Sequence, residues 1–123
     1  FDPIRKQYVG LTPEEQVRQY CINVLTKQFG YPKSAIAVEG QINLNSMTRR
    51  FDILVYDKAL QPFLLVECKR KEVKLTQQTV DQVVSYNFAI QAPYIMITNS
   101  LTTYLIGYKD GEYAFLDTLP AYR

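Results

Sequence analysis

The feature that most constrains the fold is a pair of apolar segments, Arg50–Tyr56 and Pro62–Lys69, separated by the short polar stretch Asp57–Gln61. Two strands joined by so short a connection are expected to pair as an antiparallel hairpin. Apolar residues occupy successive positions in both segments, as in the run Phe63–Val66. Because neighbouring side chains of a strand point to opposite faces, this pattern is typical of central strands that are covered on both sides.

The remaining segments predict helices and further strands around this hairpin. Thr12 and Pro13, with Glu15 three residues after Thr12, predict a capping box at the start of a helix over 13–29, which Gly30 and Pro32 end. Apolar spacing and turn signals predict the other elements: a strand over 35–44, a helix over 76–90, and strands over 94–98, 103–108 and 113–116. The order α-β-β-β-α-β-β-β indicates one α/β domain over 1–123, a mixed sheet flanked by helices, with 1–11 as a lead-in.

Composition excludes several classes of site. The 123 residues include no histidine, so the chain contains no Ser-His-Asp or Cys-His catalytic group and no His-ligated metal. Two cysteines are too few for a disulfide framework or a zinc site, which favours a reducing cytoplasm. No apolar run is long enough to cross a bilayer, so we expect no membrane partner. The net charge of +2 does not by itself indicate a nucleic-acid binder.

Charged residues interrupt the apolar pattern at one end of the predicted hairpin. Glu67 and Lys69 point to the same face of their strand, and a turn centred near residues 58–60 places Asp52 opposite Glu67. Two adjacent carboxylates repel each other unless a cation lies between them, and oxygen ligands without histidine favour Mg²⁺ or Mn²⁺. With Lys69 to hold a water or to stabilise charge on a phosphate, the set suits metal-assisted phosphodiester hydrolysis.

These residues resemble a known family. Asp52 followed by Glu67-Cys68-Lys69 resembles the PD-(D/E)xK nuclease motif. A wider string over about 12–117 is similar to the N-terminal nuclease domain of type I restriction enzyme R subunits, and it comprises Thr12–Glu15, Val17-Arg18, Arg50–Tyr56, Pro62–Arg70, Asp81–Asn87 and Pro93–Ser100. The resemblance implies a restriction-endonuclease-like core and a Mg²⁺-dependent deoxyribonuclease.

The resemblance also implies roles for individual residues. Asp52, Glu67 and the main-chain carbonyl of Cys68 would be metal ligands, and Lys69 would be the catalytic lysine. Glu15 matches an acidic residue of the first helix that assists the metal in some members, although the capping box also explains it.

A second matched motif, Gln82-x-x-x-Tyr86, lies beside the active site in related nucleases. It implies that Gln82 supports catalysis, although an ordinary surface pair on a helix explains the spacing equally well. Two departures limit the resemblance. Phe51 replaces the proline that often precedes Asp52, and no Gly-rich phosphate loop accompanies the motif, so ATP-driven translocation does not carry over.

Basic residues near the predicted site favour DNA as the partner. Arg50, Arg70 and Lys71, with Tyr86, are candidate DNA contacts, although surface solubility also explains the charges. Other restriction-modification subunits are further candidate partners by resemblance. The chain contains a second Glu-x-Lys, Glu72-Val73-Lys74, that follows no apolar run and is typical of a solvated loop. Two alternatives stay open: a catalytically inactive nucleic-acid-binding or assembly module with the same fold, and a structural domain in which the acidic residues and the lysine form ion pairs.

Overall fold

The computed structural model describes residues 2–5, 10, 12–44 and 46–123. The described elements are, in chain order, α1 (Pro13–Asn23), a π-helical segment (Val24–Gln28), a 3₁₀ turn (Lys33–Ala35), β1 (Ile36–Leu44), β2 (Met47–Tyr56), β3 (Pro62–Cys68), α2 (Gln77–Ile90), β4 (Tyr94–Thr98), β5 (Thr103–Lys109) and β6 (Glu112–Leu116). This order confirms the predicted mixed α/β class, and most predicted bounds differ from the observed ones by one to three residues.

The strands form a six-stranded sheet in the order β1-β2-β3-β4-β5-β6. Neighbouring strands are antiparallel except β3 and β4, which are parallel. Two parallel neighbours require a crossover, and α2 provides it between β3 and β4. The end of β3 and the start of the crossover therefore lie at the same edge of the sheet.

The hairpin of β2 and β3 has the predicted register. Ile53 pairs with Val66 and Leu54 pairs with Leu65, and continuing this register by one residue sets Asp52 opposite Glu67. The prediction from the turn position is confirmed. At the other end of the hairpin, the register shifts between Val55 and Tyr56.

The sheet is covered on both faces, as the apolar pattern predicted. On one face, α1 and the π-helical segment pack on β2 and β3 through a core that includes Val17, Cys21, Leu25, Ile53, Val55, Leu64 and Val66. On the other face, α2 packs through a core that includes Leu54, Leu65, Val80, Val83, Ile90, Ile95 and Ile97. From Leu64 to Val66, successive residues of β3 thus enter different cores, which fixes the directions of the side chains at its end.

The start of α1 differs from the predicted capping box. The Thr12 hydroxyl accepts a hydrogen bond from the Glu15 amide at 3.1 Å, so half of the box is present. The carboxylate of Glu15 instead contacts the guanidinium groups of Arg5 and Arg18. Two cations beside a buried carboxylate bind it more strongly than a single main-chain amide does, which accounts for the difference.

Both helices also correct the predicted apolar faces. Helical spacing of the apolar residues predicts that Tyr20 of α1 and Phe88 of α2 lie on the packed faces, but Tyr20 is 41% exposed and Phe88 is 74% exposed. In α1, position 18 is buried instead, and it holds an arginine. In α2, the buried stripe runs through Val80, Val83, Asn87 and Ile90, and it leaves Phe88 beyond its edge.

Part of the predicted lead-in is firmly bound. Asp2 is fully buried, and its carboxylate accepts hydrogen bonds from the amides of Ile4 and Arg5 and from the side chains of Arg5 and Gln19. Residues 1, 6–9 and 11 of the predicted lead-in lie outside the described residues. Neither described α-helix is long and apolar enough to cross a membrane.

Candidate active-site cleft

A cleft of about 530 Å³ lies where β2, β3 and α2 meet. Its walls are formed by Glu39, Gly40, Arg50, Phe51, Asp52, Glu67, Lys69, Gln82, Val83 and Tyr86. Six of these residues were singled out from the sequence: Arg50, Asp52, Glu67, Lys69, Gln82 and Tyr86. The fold therefore brings these six predicted residues together, although they lie up to 36 positions apart in the chain.

Asp52 is anchored by the main chain of the neighbouring strand. Its Oδ2 accepts a hydrogen bond from the Cys68 amide at 3.0 Å, and its Oδ1 lies 3.6 Å from Nε of Arg18. Burial raises the pKa of the Asp52 carboxyl group, against the opposing effects of the Cys68 hydrogen bond and the Arg18 charge. A main-chain donor fixes the direction of this side chain independently of any other side chain.

Glu67 near the end of β3 and Lys69 just after it both line the cleft, as their spacing of two residues predicted. Nζ of Lys69 lies 3.5 Å from Oε1 of Glu67, and the two side chains are 35% and 26% exposed. Burial, reinforced by the negative charge of Asp52, raises the pKa of Glu67 to about 7. A pKa this high means that too little positive charge surrounds the two neighbouring carboxyl groups to keep both ionised at neutral pH. A bound cation would supply that charge.

Gln82 and Tyr86 reach the cleft from one side of α2, four residues apart. The Tyr86 hydroxyl is buried and has no hydrogen-bond partner among the described residues. Its pKa is raised by burial first and by the nearby Glu67 second. A buried hydroxyl without a partner is costly, and a ligand in the cleft that accepts or donates a hydrogen bond there would satisfy it.

The donor groups of the cleft suit a hard divalent cation. In an extended strand the N–H and C=O of one residue point to the same side, so we expect the Cys68 carbonyl to point toward Asp52, as its amide does. Two carboxylates and one carbonyl leave room for the waters that Mg²⁺ retains. No group of three or more acidic or thiol side chains within the described ranges is arranged to hold a metal, so any such site would use the main chain and water as well.

Other predicted site residues lie outside the cleft. Glu15 is buried at 5% exposure. The guanidinium of Arg18 contacts both Glu15 and Asp52 and therefore separates these two carboxylates. Arg70 and Lys71 are exposed in the loop after β3, and Arg70 lies 3.7 Å from Glu72. They border the site without lining it.

Cys68 contributes to the cleft through its main chain alone. Its thiol belongs to the core on the α1 face, where Sγ lies 3.6 Å from Sγ of Cys21. The Cys21 contact and burial raise the pKa of this thiol. Since the thiolate is the reactive form, the thiol is a packing group.

The sequence interpretation missed Arg18 and Glu39. Arg18 is 8% exposed, and its guanidinium contacts carboxylates of α1, β1 and β2. Its position between apolar Val17 and Cys21 on the packed face of a helix is a sequence signal, because a charge on such a face requires a partner. Glu39 has a positive φ of 50° next to Gly40, an irregularity that strand propensities do not reveal.

Comparisons with known proteins bear on the family and the fold of the chain. The family described as the type I restriction enzyme R protein N terminus matches residues 13–120. Among solved structures, the chain resembles a candidate nuclease belonging to DUF820 from Anabaena variabilis ATCC 29413, with a TM-score of 0.53 and 10% identity over 91% of this chain and 71% of that chain. At that identity the likeness concerns the fold. No protein with curated annotation matches the chain significantly.

Proposed function

This chain belongs to the family of type I restriction enzyme R protein N termini, and from that premise we propose that it is a nuclease domain that hydrolyses DNA phosphodiester bonds with the help of Mg²⁺ or Mn²⁺. The observation that carries the proposal is the convergence of Asp52, Glu67 and Lys69 in one cleft. We further propose that residues 1–123 act as one domain.

Asp52, Glu67 and the Cys68 carbonyl would hold the metal, which when bound would polarise a phosphoryl oxygen and lower the pKa of a water molecule. Lys69 would donate a hydrogen bond to the attacking water and stabilise negative charge that develops on the phosphate. The position of its Nζ, 3.5 Å from Glu67, supports this role because it keeps the ammonium group next to the ligands.

The α2 residues would orient the substrate. Gln82 is exposed at the cleft wall and would orient the water or a phosphate oxygen, while the unpartnered Tyr86 hydroxyl would hydrogen-bond the DNA backbone. Arg50 in the cleft, with Arg70 and Lys71 on the adjoining loop, would neutralise neighbouring phosphates. We propose DNA and other subunits of a restriction-modification enzyme as the partners.

A cleavage assay tests the proposal. Supercoiled plasmid is incubated with the protein in Mg²⁺ or Mn²⁺, and Asp52→Asn and Lys69→Ala are each expected to reduce cleavage at least about 100-fold because each removes a group that acts on the reacting phosphate. Glu72→Gln is the matched control for the acidic change, because Glu72 belongs to an exposed Glu-x-Lys sequence outside the cleft. Cleavage at the parent's rate by both cleft variants would contradict the proposal.

A non-catalytic DNA-binding or assembly module is the second candidate. The observation that favours it is that Asp52 and Glu67 each already have a cation nearby, Arg18 and Lys69 respectively. Calorimetric titration with Mn²⁺ together with the cleavage assay distinguishes the candidates. Saturable metal binding without cleavage of any DNA favours the module, and absence of both favours a purely structural ion-pair cluster.

A further inference from the structure

Arg18 contacts four carboxylates that come from three different elements, and the most distant is that of the exposed Glu14, whose Oε2 lies 4.0 Å from Nη2. Its Nη1 lies 3.4 Å from Oε1 of Glu15, and its Nη2 lies 2.9 Å from Oε1 of Glu39. Its Nε lies 3.6 Å from Oδ1 of Asp52. The side chain is only 9% exposed, so this guanidinium is a buried charge held at the edge of the cleft.

The contact with Asp52 is longer than those with Glu15 and Glu39. A distance of 3.6 Å exceeds the 2.7–3.2 Å of ordinary N–H···O hydrogen bonds, and Nε has no hydrogen-bond partner among the described residues. Asp52 is held instead through its other oxygen by the Cys68 amide at 3.0 Å. Oδ1 of Asp52 can therefore be released while the side chain keeps its main-chain anchor.

Releasing Asp52 would not leave Arg18 unpaired. Breaking a buried ion pair is costly when one charge loses its partner, but Glu15 and Glu39 would still contact Arg18. Among the described residues, the ion-pair network that reaches the cleft contains six acidic side chains and only three basic ones; the acidic side chains are those of Asp2, Glu14, Glu15, Glu39, Asp52 and Glu67, and the basic ones are those of Arg5, Arg18 and Lys69. Excess negative charge favours the entry of a further cation.

We propose that Arg18 is the resident counter-ion of Asp52, and that a divalent cation binds in the cleft by displacing it from Oδ1. The inference rests on the proposed function, because it takes Asp52 as a metal ligand. Arg18 is a positioning residue that acts through Asp52. Its positive charge holds the carboxylate when no metal is bound and lowers the affinity of the cleft for divalent cations.

Calorimetric titration with MnCl₂ in the absence of DNA tests the inference without reference to cleavage. Arg18→Gln removes the charge, and we expect it to tighten Mn²⁺ binding by about tenfold or more, because a unit charge several Å from a divalent ion repels it even at a high effective dielectric constant. Arg18→Lys keeps the charge and is expected to bind Mn²⁺ much as the parent does. Arg123→Gln is the matched control, because its guanidinium contacts Tyr94 and Phe63 rather than the cleft.

The outcomes separate this inference from the proposed function. Lack of saturable Mn²⁺ binding by the parent, or undiminished binding by Asp52→Asn, would overturn the metal site and the inference with it. Binding by the parent, lost in Asp52→Asn, with no gain in Arg18→Gln would overturn the inference alone. The gain is expected to vanish in the double variant Arg18→Gln/Asp52→Asn, and its persistence would show that Glu15 or Glu39 had become the ligand instead.

The parent protein supplies a second measurement in case Arg18→Gln does not fold. The ¹⁵N–¹H signal of Arg18 Nε is followed during a titration with Mg²⁺. We expect it to shift with the same midpoint as the backbone amide of Cys68, because both groups face Asp52. An Arg18 signal that stays fixed while the Cys68 amide shifts would overturn the inference.

Discussion

At the scale of single residues, Glu67 has a pKa near neutrality because it is largely buried beside Asp52. The folded protein keeps the Glu67 proton up to about pH 7, whereas an unfolded chain loses it near the ordinary value of 4.5. The protonated carboxyl group therefore favours the folded state. Its contribution is complete below pH 4.5 and is lost as the pH rises through 7.

We expect Glu67→Gln to stabilise the metal-free protein at alkaline pH. At pH 8 the parent must keep an ionised carboxylate buried, whereas the amide of the variant cannot ionise. We therefore expect the free energy of unfolding to be roughly 2 kcal/mol higher in the variant at pH 8 and little changed at pH 4.5. Urea unfolding at both pH values in EDTA measures it. The exposed Glu72→Gln should show no such dependence, and equal gains at both pH values for Glu67→Gln would contradict the shifted pKa.

The same residue predicts a proton coupled to metal binding. Near pH 6.5 Glu67 is mostly protonated in the metal-free protein, and a metal ligand must be ionised, so Mg²⁺ should release up to about one proton per ion. Calorimetry in two buffers of different ionisation enthalpy measures the number released. We expect the release to fall toward zero at pH 8.5, and a value that does not change with pH would count against Glu67 as a ligand.

At the scale of elements, the contact between β1 and β2 forms one wall of the cleft. Gly40 pairs with Phe51, and a Cβ at position 40 would lie 2.5 Å from Cζ of the Phe51 ring. Phe51 is 8% exposed and belongs to the core on the α2 face, so moving its ring away from a new methyl group disturbs that packing. Position 40 therefore requires glycine, because the Phe51 ring lies close to its backbone.

We therefore expect Gly40→Ala to destabilise the protein by about 1–3 kcal/mol and to displace Phe51. Gly10→Ala is the matched control, because no atom of the described residues lies within 4 Å of a Cβ at that position. Urea unfolding gives the stability difference, and the aromatic NMR shifts of Phe51 report the displacement. Equal stability of the two variants would show that the ring relaxes freely.

Local patterns were sufficient to predict the elements and the central hairpin. Chain length between Asp52 and Glu67 fixed the register, because a short turn allows few pairings, and the alternation of β3 placed Glu67 and Lys69 together. The face of α2 was predicted less well. Phe88 is apolar and close to the stripe, and only the angle at which the helix packs on the sheet decides which edge is covered.

The partners of buried charges could not be predicted from periodicity. The position of Arg18 on the packed face of α1 indicates that it needs a partner, but it does not identify the carboxylates in β1 and β2, which lie 21 and 34 residues further along the chain. Glu15 was assigned a local capping role because Thr12 precedes it by three residues. Its carboxylate is directed instead by Arg5 from the N-terminal segment, a contact between regions that sequence spacing does not relate.

At the scale of the whole molecule, the basic residues near the cleft are concentrated at one end of the sheet. Arg70 and Lys71 follow the end of β3, whereas Lys58 lies in the turn between β2 and β3 and Lys109 ends β5, both at the opposite end of the sheet. The net charge is only +2, so the proposed DNA binding would depend on where the charges are. Affinity for DNA should therefore depend on salt through a few phosphate contacts only.

We expect the logarithm of the DNA association constant to fall with the logarithm of salt concentration with a slope of about −3 to −4. The double variant Arg70→Gln/Lys71→Gln should make this slope shallower by up to about 2, because each lost phosphate contact removes about 0.9. Fluorescence anisotropy with a short duplex measures it, in Ca²⁺ to limit cleavage. Lys58→Gln/Lys109→Gln removes the same charge at the far end, and an equal effect there would mean that binding follows net charge.

The bond from the Cys68 amide to Asp52 has a consequence for how this chain can diverge. Every amino acid except proline has a main-chain N–H, so position 68 does not need a polar side chain to hold Asp52 beside Glu67. Volume against Cys21 is the remaining constraint, because the two sulfur atoms touch in the core. Related chains can therefore carry another small apolar side chain at position 68 without any change in the arrangement of Asp52 and Glu67.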